Sequence, residues 1–326
     1  MKLSFLFFGN KPDEKWQLCR QMGIDYAIAK LAPELTGEPS IDDYVSFARS
    51  KAIFEENGFQ LIGLEGDQFD MMRIKLGLEG REYDIEKYGK MLENMGKLGV
   101  NLLCYNFMAT GWYRTHTNLP ERGGAVVSGF NYETAKNATV SPYVTKYGTF
   151  SESQIWDNYQ WFIEQVMPVA EANNVKMALH PDDPPISPVQ GIARILTSAE
   201  AIRKALSFSN SPSHGLTFCQ GTYTTMNEPV FELIHEFGKE KIFFVHIRDV
   251  IGTPDNFRET FHDNGPTDMF KMMKAYKKIG FQGAIRSDHV PTMAGESNAH
   301  FGYEMKGNLF GIGYIKGLVE ACEGVD

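Results

Sequence analysis

The sequence predicts a (β/α)8 barrel, an α/β fold formed as a single domain over residues 1–326, with a long excursion after the fourth strand. Three observations point there. Short apolar runs alternate with helical stretches from end to end, which favours a parallel sheet. Four late runs, VKMALH, GLTFC, KIFFVH and GAIRSD, each close on a metal-competent side chain: His180, Cys219, His246 and Asp288. Those four residues converge only if their strands lie parallel and side by side, and a closed barrel gathers its chemistry at the C-terminal ends of its strands. Finally, Phe8-Gly9-Asn10-Lys11-Pro12 after the first run lacks the glycine fingerprint of a dinucleotide-binding sheet. That counts against a doubly wound sheet, the alternative that periodicity alone also allows.

Strands are expected near 3–8, 25–30, 60–65, 100–106, 175–180, 215–219, 242–247 and 283–288. The first rests on LSFLFF, which is too short for a signal-peptide core and has no cleavage site behind it. Helices are expected near 12–22, 41–57, 84–98, 152–173, 198–207, 227–238, 267–279 and 308–321. The second has a cap signal at Ser40 or Asp42 and stops at Gly58. The third sets Ile85, Tyr88, Met91, Leu92 and Met95 at helical spacing and stops at Gly99. Residues 107–151 separate the fourth strand from its helix, carry Trp112, Tyr113, Arg114, Arg122 and Phe130, and are expected to form a lid or substrate-binding excursion.

Composition excludes several classes. The chain is 43% hydrophobic and 22% charged, an ordinary globular mixture, with a net charge of −9 and no Lys/Arg block. Nucleic acid is therefore not an expected partner. No apolar run reaches the length of a membrane span. Four scattered cysteines, Cys19, Cys104, Cys219 and Cys322, suit a reducing cytoplasm better than a disulfide framework.

Strand alternation tests the metal idea. A period of two puts Lys176, Ala178 and His180 on one face of their strand, with Met177 and Leu179 on the other. It likewise pairs Thr217 with Cys219, Phe244 with His246, and Arg286 with Asp288. Two imidazoles, a thiolate and a carboxylate suit Mn²⁺, Fe²⁺, Co²⁺ or Zn²⁺ better than Mg²⁺ or Ca²⁺. Taken singly, Cys219 reads as a small buried hydrophobe. Four such accidents on four consecutive strands do not. The run ETFHDNG at 259–265 reads either as part of the site or as a solvated loop ending in an Asn-Gly turn.

The segments CYNFM (104–108), WYRT (112–115), RGG (122–124), ALHPDDPP (178–185), FCQGT (218–222), FFVHIRDV (243–250), ETFHDNGPTDM (259–269) and RSDHVP (286–291) resemble mannonate dehydratases, metal-dependent lyases of hexuronate breakdown with a xylose-isomerase-like TIM barrel. The resemblance implies dehydration of a sugar acid, D-mannonate to 2-dehydro-3-deoxy-D-gluconate and water, with Mn²⁺ bound through His180, Cys219, His246 and Asp288; with no targeting address visible the expected setting is cytoplasmic, and a homo-oligomer is expected. It implies an acid/base pair in His289 and Tyr303 beside Asp288, and substrate contacts from Arg114, Trp112, Asn106 and His262. His289 follows Asp288 directly, so it reaches the interior only if the strand has ended there, which Pro291 favours. The chain departs from the family at Thr110-Gly111, where a Phe-Asp pair is usual, and in GDQFDMMRIK, which lacks the family's histidine. Both departures fall where substrate is held. A sugar isomerase or epimerase, or a non-catalytic sugar-acid-binding paralogue, are the competing readings.

Overall fold

The computed structural model describes residues 1–323. Twelve strands form in chain order: β1 (Lys2–Phe8), β2 (Tyr26–Lys30), β3 (Gln60–Glu65), β4 (Leu102–Tyr105), β5 (His116–Pro120), β6 (Val126–Asn131), β7 (Lys176–Leu179), β8 (His214–Cys219), β9 (Ile242–Ile247), β10 (Val250–Thr253), β11 (Asn256–Glu259) and β12 (Ala284–Ser287). Eight of them close a parallel barrel in the order β1-β2-β3-β4-β7-β8-β9-β12. These are the eight strands the apolar runs predict, and each expected helix is present within a few residues.

The two sides of the strands sort as the period of two requires. Leu6, Ile28, Leu102, Cys104, Ala178, Phe244 and Ala284 pack together inside the barrel. Met177, Leu179, Leu216, Phe218, Val245 and Ile285 face outward into the larger layer between strands and helices. The helix Tyr44–Glu56 is capped by Asp43, whose carboxylate accepts from the Ser46 amide at 2.8 Å, one residue beyond the expected cap. The helix Arg81–Leu98 buries Tyr88, Met91, Leu92 and Met95 and ends on Gly99 at φ 69°, a left-handed stop that glycine adopts without steric cost.

Residues 107–151 are not structureless. They form β5 and β6, a turn at Arg122–Gly124 and the helices Tyr132–Ala135 and Pro142–Tyr147. A second hairpin, β10–β11, follows the barrel strand β9, where the sequence suggested only a polar run. The two excursions join through β6 and β11 into one four-stranded antiparallel sheet, β5-β6-β11-β10. Phe130, Ala135, Val250 and Phe257 form its small core. The solvated-loop reading of ETFHDNG fails at its first half, since Glu259, Thr260, Phe261 and His262 are all buried. No helix among the described residues is long and apolar enough to cross a membrane.

Candidate active site

Strand register builds the mouth. Cys219 is paired with His246 across β8 and β9, and His246 with Arg286 across β9 and β12. Asp288 stands one inward step above Arg286, just beyond the end of β12. His180 follows β7, its amide held by the Tyr105 carbonyl at 2.7 Å. Donor atoms of His180, Cys219 and His246 all lie within 4.8 Å of one another. The Asp288 carboxylate lies 3.6 Å from Cys219 Sγ and 3.8 Å from His246 Nδ1. The four residues that alternation singles out thus come together.

Three details suit this set to a cation. His180 Nδ1 lies 2.7 Å from the Pro181 carbonyl, which fixes the donor nitrogen there and leaves Nε2 as the ligand atom. The Thr222 hydroxyl donates to Cys219 Sγ at 3.1 Å and orients the sulfur. His246 Nε2 is buried with no well-formed hydrogen bond, its nearest polar neighbour being the Glu65 carboxylate at 3.4 Å, an unusual state for a polar atom in a protein interior. Two other metal-competent groupings occur, and in them, as at Asp288, arginines already hold the carboxylates. Glu65, beside Cys104 and His246, is paired with Arg286 at 2.5 Å. Asp183 and Glu259, beside His289, are held by Arg114 and Arg248.

Arg114 stands apart from its expected role. Its fork spans Asp183 at 2.6 and 2.8 Å and reaches Glu259 at 2.6 Å, with the side chain fully buried. It does not line the cavity and is not free to grip a substrate carboxylate. Arg248 completes the lattice, hydrogen-bonded to Asp183 at 2.7 Å and Glu259 at 2.9 Å and ion-paired with Asp288 at 2.9 Å. Burial alone would raise the carboxyl pKa of Glu259, but Arg248, then His289 and Arg114, outweigh it and hold it at about 2. Burial opposes ionisation of Asp288 too, yet His289, Arg286, His246 and Arg248 keep it well below the usual carboxylate range. His262 also moves out of the substrate set. It is buried behind β12, with Nε2 3.2 Å from Ser287 Oγ, under the close approach of Gly311.

Apart from Cys219, which is buried beneath it, the remaining expected residues line one cavity of about 310 Å³: Asn106, Trp112, His180, His246, Asp288, His289 and Tyr303. β12 ends at Ser287, so His289 turns inward. Its Nδ1 is 3.0 Å from Glu259 Oε1 and its Nε2 3.1 Å from the Tyr303 hydroxyl. Burial first, then the Asp288 charge, raises the Tyr303 phenol well above its ordinary pKa, so it stays protonated. Trp112 lies over His289 at 4.5 Å between ring centroids and stacks on Phe301 at 5.2 Å. Asn106 Oδ1 accepts from buried Lys75 at 3.0 Å, which leaves its amide hydrogens for the cavity. Sequence reasoning missed the wall behind these groups. Asp183 sits in the PDDPP turn and Arg248 two residues after the β9 ligand, but the contacts that join this wall span long stretches of chain, 69 residues from Arg114 to Asp183 and 145 from Arg114 to Glu259.

Fold and mouth together define a (β/α)8-barrel enzyme with a candidate site for a divalent metal beside a histidine–tyrosine pair. A family model described as D-mannonate dehydratase matches residues 1–326. The chain belongs to that family and is a hydro-lyase acting on a sugar acid. The mannonate dehydratase of Thermotoga maritima is 33% identical over 360 residues, covering 99% of this chain and 98% of that protein. That of Shouchella clausii is 31% identical over 358 residues, covering 99% and 98%. The crystal structure of mannonate dehydratase from Streptococcus suis serotype 2 superposes with a TM-score of 0.89 at 29% identity, over 99% of this chain and 95% of that one. The IolI protein with a bound zinc atom superposes at a TM-score of 0.59 and 15% identity, over the whole of both chains, a likeness of fold alone.

Proposed function

We propose that this protein dehydrates D-mannonate to 2-dehydro-3-deoxy-D-gluconate, with His180, Cys219, His246 and Asp288 holding Mn²⁺, and with Fe²⁺, Co²⁺ or Zn²⁺ as lesser fits. The observation that carries the reading is the juxtaposition of that nitrogen, sulfur and oxygen donor set with the His289–Tyr303 hydrogen bond at one cavity, which His180, His246, Asp288, His289 and Tyr303 line and behind which Cys219 is buried. A bound divalent ion supplies Lewis acidity to offset the negative charge that develops on the substrate's carboxylate.

The chain's own residues divide the proton work. Glu259 accepts from Nδ1 of His289, so the lone pair of the imidazole lies on Nε2. That nitrogen takes the proton from C2 of the sugar acid as the C2–H bond breaks. The Tyr303 hydroxyl, kept protonated by burial, donates to the C3 hydroxyl, which leaves as water while C2=C3 forms. The proton on Nε2 then passes along the 3.1 Å bond to Tyr303, and the pair returns to its starting state. The enol product tautomerises to the 2-keto acid. Trp112 covers His289 and keeps bulk water from it. Residues 107–151 act as the lid that carries Trp112, and the four free, buried cysteines are in keeping with a cytoplasmic setting.

Elemental analysis of the purified protein, with a D-mannonate assay in added Mn²⁺ read out by a 2-keto acid reagent, tests the proposal. Cys219→Ala and His246→Ala are each expected to lose metal and turnover together. If both variants kept stoichiometric metal and full turnover, the assigned site would be wrong.

A further inference from the structure

We propose that Lys30 is the counter-charge for the substrate's carboxylate, the residue that makes this mouth select an acid over the matching neutral polyol; the inference rests on the dehydratase reading above. Lys30 ends β2 and lines the 310 Å³ cavity together with Glu65, His180, Asp288 and Tyr303. Apart from histidines, the cations lining that cavity are Lys30 and Arg286. The Arg286 guanidinium is committed to Glu65 at 2.5 and 3.0 Å and to Asp288 at 2.8 Å. Arg114 and Arg248 lie behind the wall, held by Asp183 and Glu259. Among the described residues, the Lys30 ammonium alone of these has no hydrogen bond, ion pair or ring contact.

The charge balance of the mouth gives such a group a use on the side away from the donor set. Glu65, Asp183, Glu259 and Asp288 face three guanidinium groups, those of Arg114, Arg248 and Arg286, which leaves one uncompensated negative charge. An incoming carboxylate meets repulsion unless positive charge is added. A divalent ion held by the donor set would supply it on the β7–β8–β9 side, and Lys30 adds a positive unit on the opposite, β2 side, where the donor set does not reach. The placement is local: the Lys30 stem runs beside Gly66, where a Cβ would lie 3.8 Å from its Cδ, at a backbone φ of 76°. A lysine is a compact charge on a flexible stem, so it can follow a carboxylate without demanding the fixed two-pronged geometry of an arginine.

The test compares wild type, Lys30→Gln and Lys30→Arg, each loaded with Mn²⁺, by isothermal titration with D-mannonate and with D-mannitol, and by steady-state kinetics. Lys30→Gln is expected to raise Kd and KM for D-mannonate by about 10- to 100-fold, the size of one charge-assisted hydrogen bond. Its kcat stays within about threefold because the group is not asked to act in the chemical step. D-mannitol binding stays unchanged, Lys30→Arg recovers most of the acid affinity, and the melting temperature does not move because no protein bond is lost. Equal D-mannonate affinity in wild type and Lys30→Gln overturns the proposal. So does a parallel loss of D-mannitol affinity, which would mean a shape effect. If wild type binds another aldonate but does not dehydrate D-mannonate, the functional reading fails while the acid-against-polyol comparison on that aldonate still decides Lys30. Absence of binding to every aldonate of a four- to six-carbon panel overturns both.

Discussion

Arg114 and His289 meet at a single atom, Oε1 of Glu259, which lies 2.6 Å from one and 3.0 Å from the other. The arginine thus acts on the chemistry through the carboxylate that orients the imidazole. Removing one partner of a buried ion pair leaves charges without compensation, at a cost of roughly 3–5 kcal/mol. Arg114→Ala is accordingly expected to lower the unfolding free energy from urea titration by that order. A variant of unchanged stability with a selectively raised KM would restore Arg114 to the role of substrate anchor. At the other side of Glu259, His289→Gln is expected to cut kcat by about 10²- to 10⁴-fold, the usual worth of a positioned acid or base. Its metal content should stay that of wild type, since His289 is outside the donor set; loss of metal in step with activity would place the residue among the ligands instead.

At the scale of the element, glycine positions record how tightly the second sheet is assembled. A side chain at Gly129 on β6 would strike the Leu119 side chain and come within 2.7 Å of the Phe257 carbonyl of β11. Gly129→Val should therefore wedge β5 and β11 away from β6 and cost about 1–3 kcal/mol, as overpacking does elsewhere. Thermal denaturation checks this, and an unchanged melting temperature would show that the sheet yields freely. What could be read in the sequence follows the same line. β7 and β9 are short apolar runs of regular alternation, so the inward set of Ala178, His180, Phe244 and His246 was legible before any coordinates. The hairpin β10–β11 was not. Its first strand exposes three of four residues, and its partner β6 lies well over a hundred residues away. Pairing across that distance leaves no trace in local periodicity. The same holds for Arg114, whose fork looks identical in sequence whether it serves a ligand or a buried aspartate.

For the whole molecule, the buried charges set the response to acid. Glu65 and Glu259 both sit at about 2 against an ordinary 4.5, because arginine and histidine neighbours overcome the effect of burial. Depressed carboxyls contribute stability above pH 4.5 that is lost as pH falls towards 2. Two histidines extend the slope upward: burial lowers His214 and His262 to about 4 from 6.5, so the unfolded chain takes up their protons first as pH falls through that window. Urea midpoints are expected to decline from pH 6.5 to 4 and more steeply below 4.5. Glu259→Gln should flatten the lower limb relative to its own neutral-pH value. A midpoint level from pH 7 to 3 would contradict this picture of the interior.

The seam between β6 and β11 has a consequence for anyone rebuilding this protein. Each hairpin completes the hydrogen bonding of the other, so neither is a detachable ornament of its own barrel strand. A graft that imports one of them from a homologue, leaving its mate native, would present mismatched edges; new specificities will have to be transplanted as the two-piece unit.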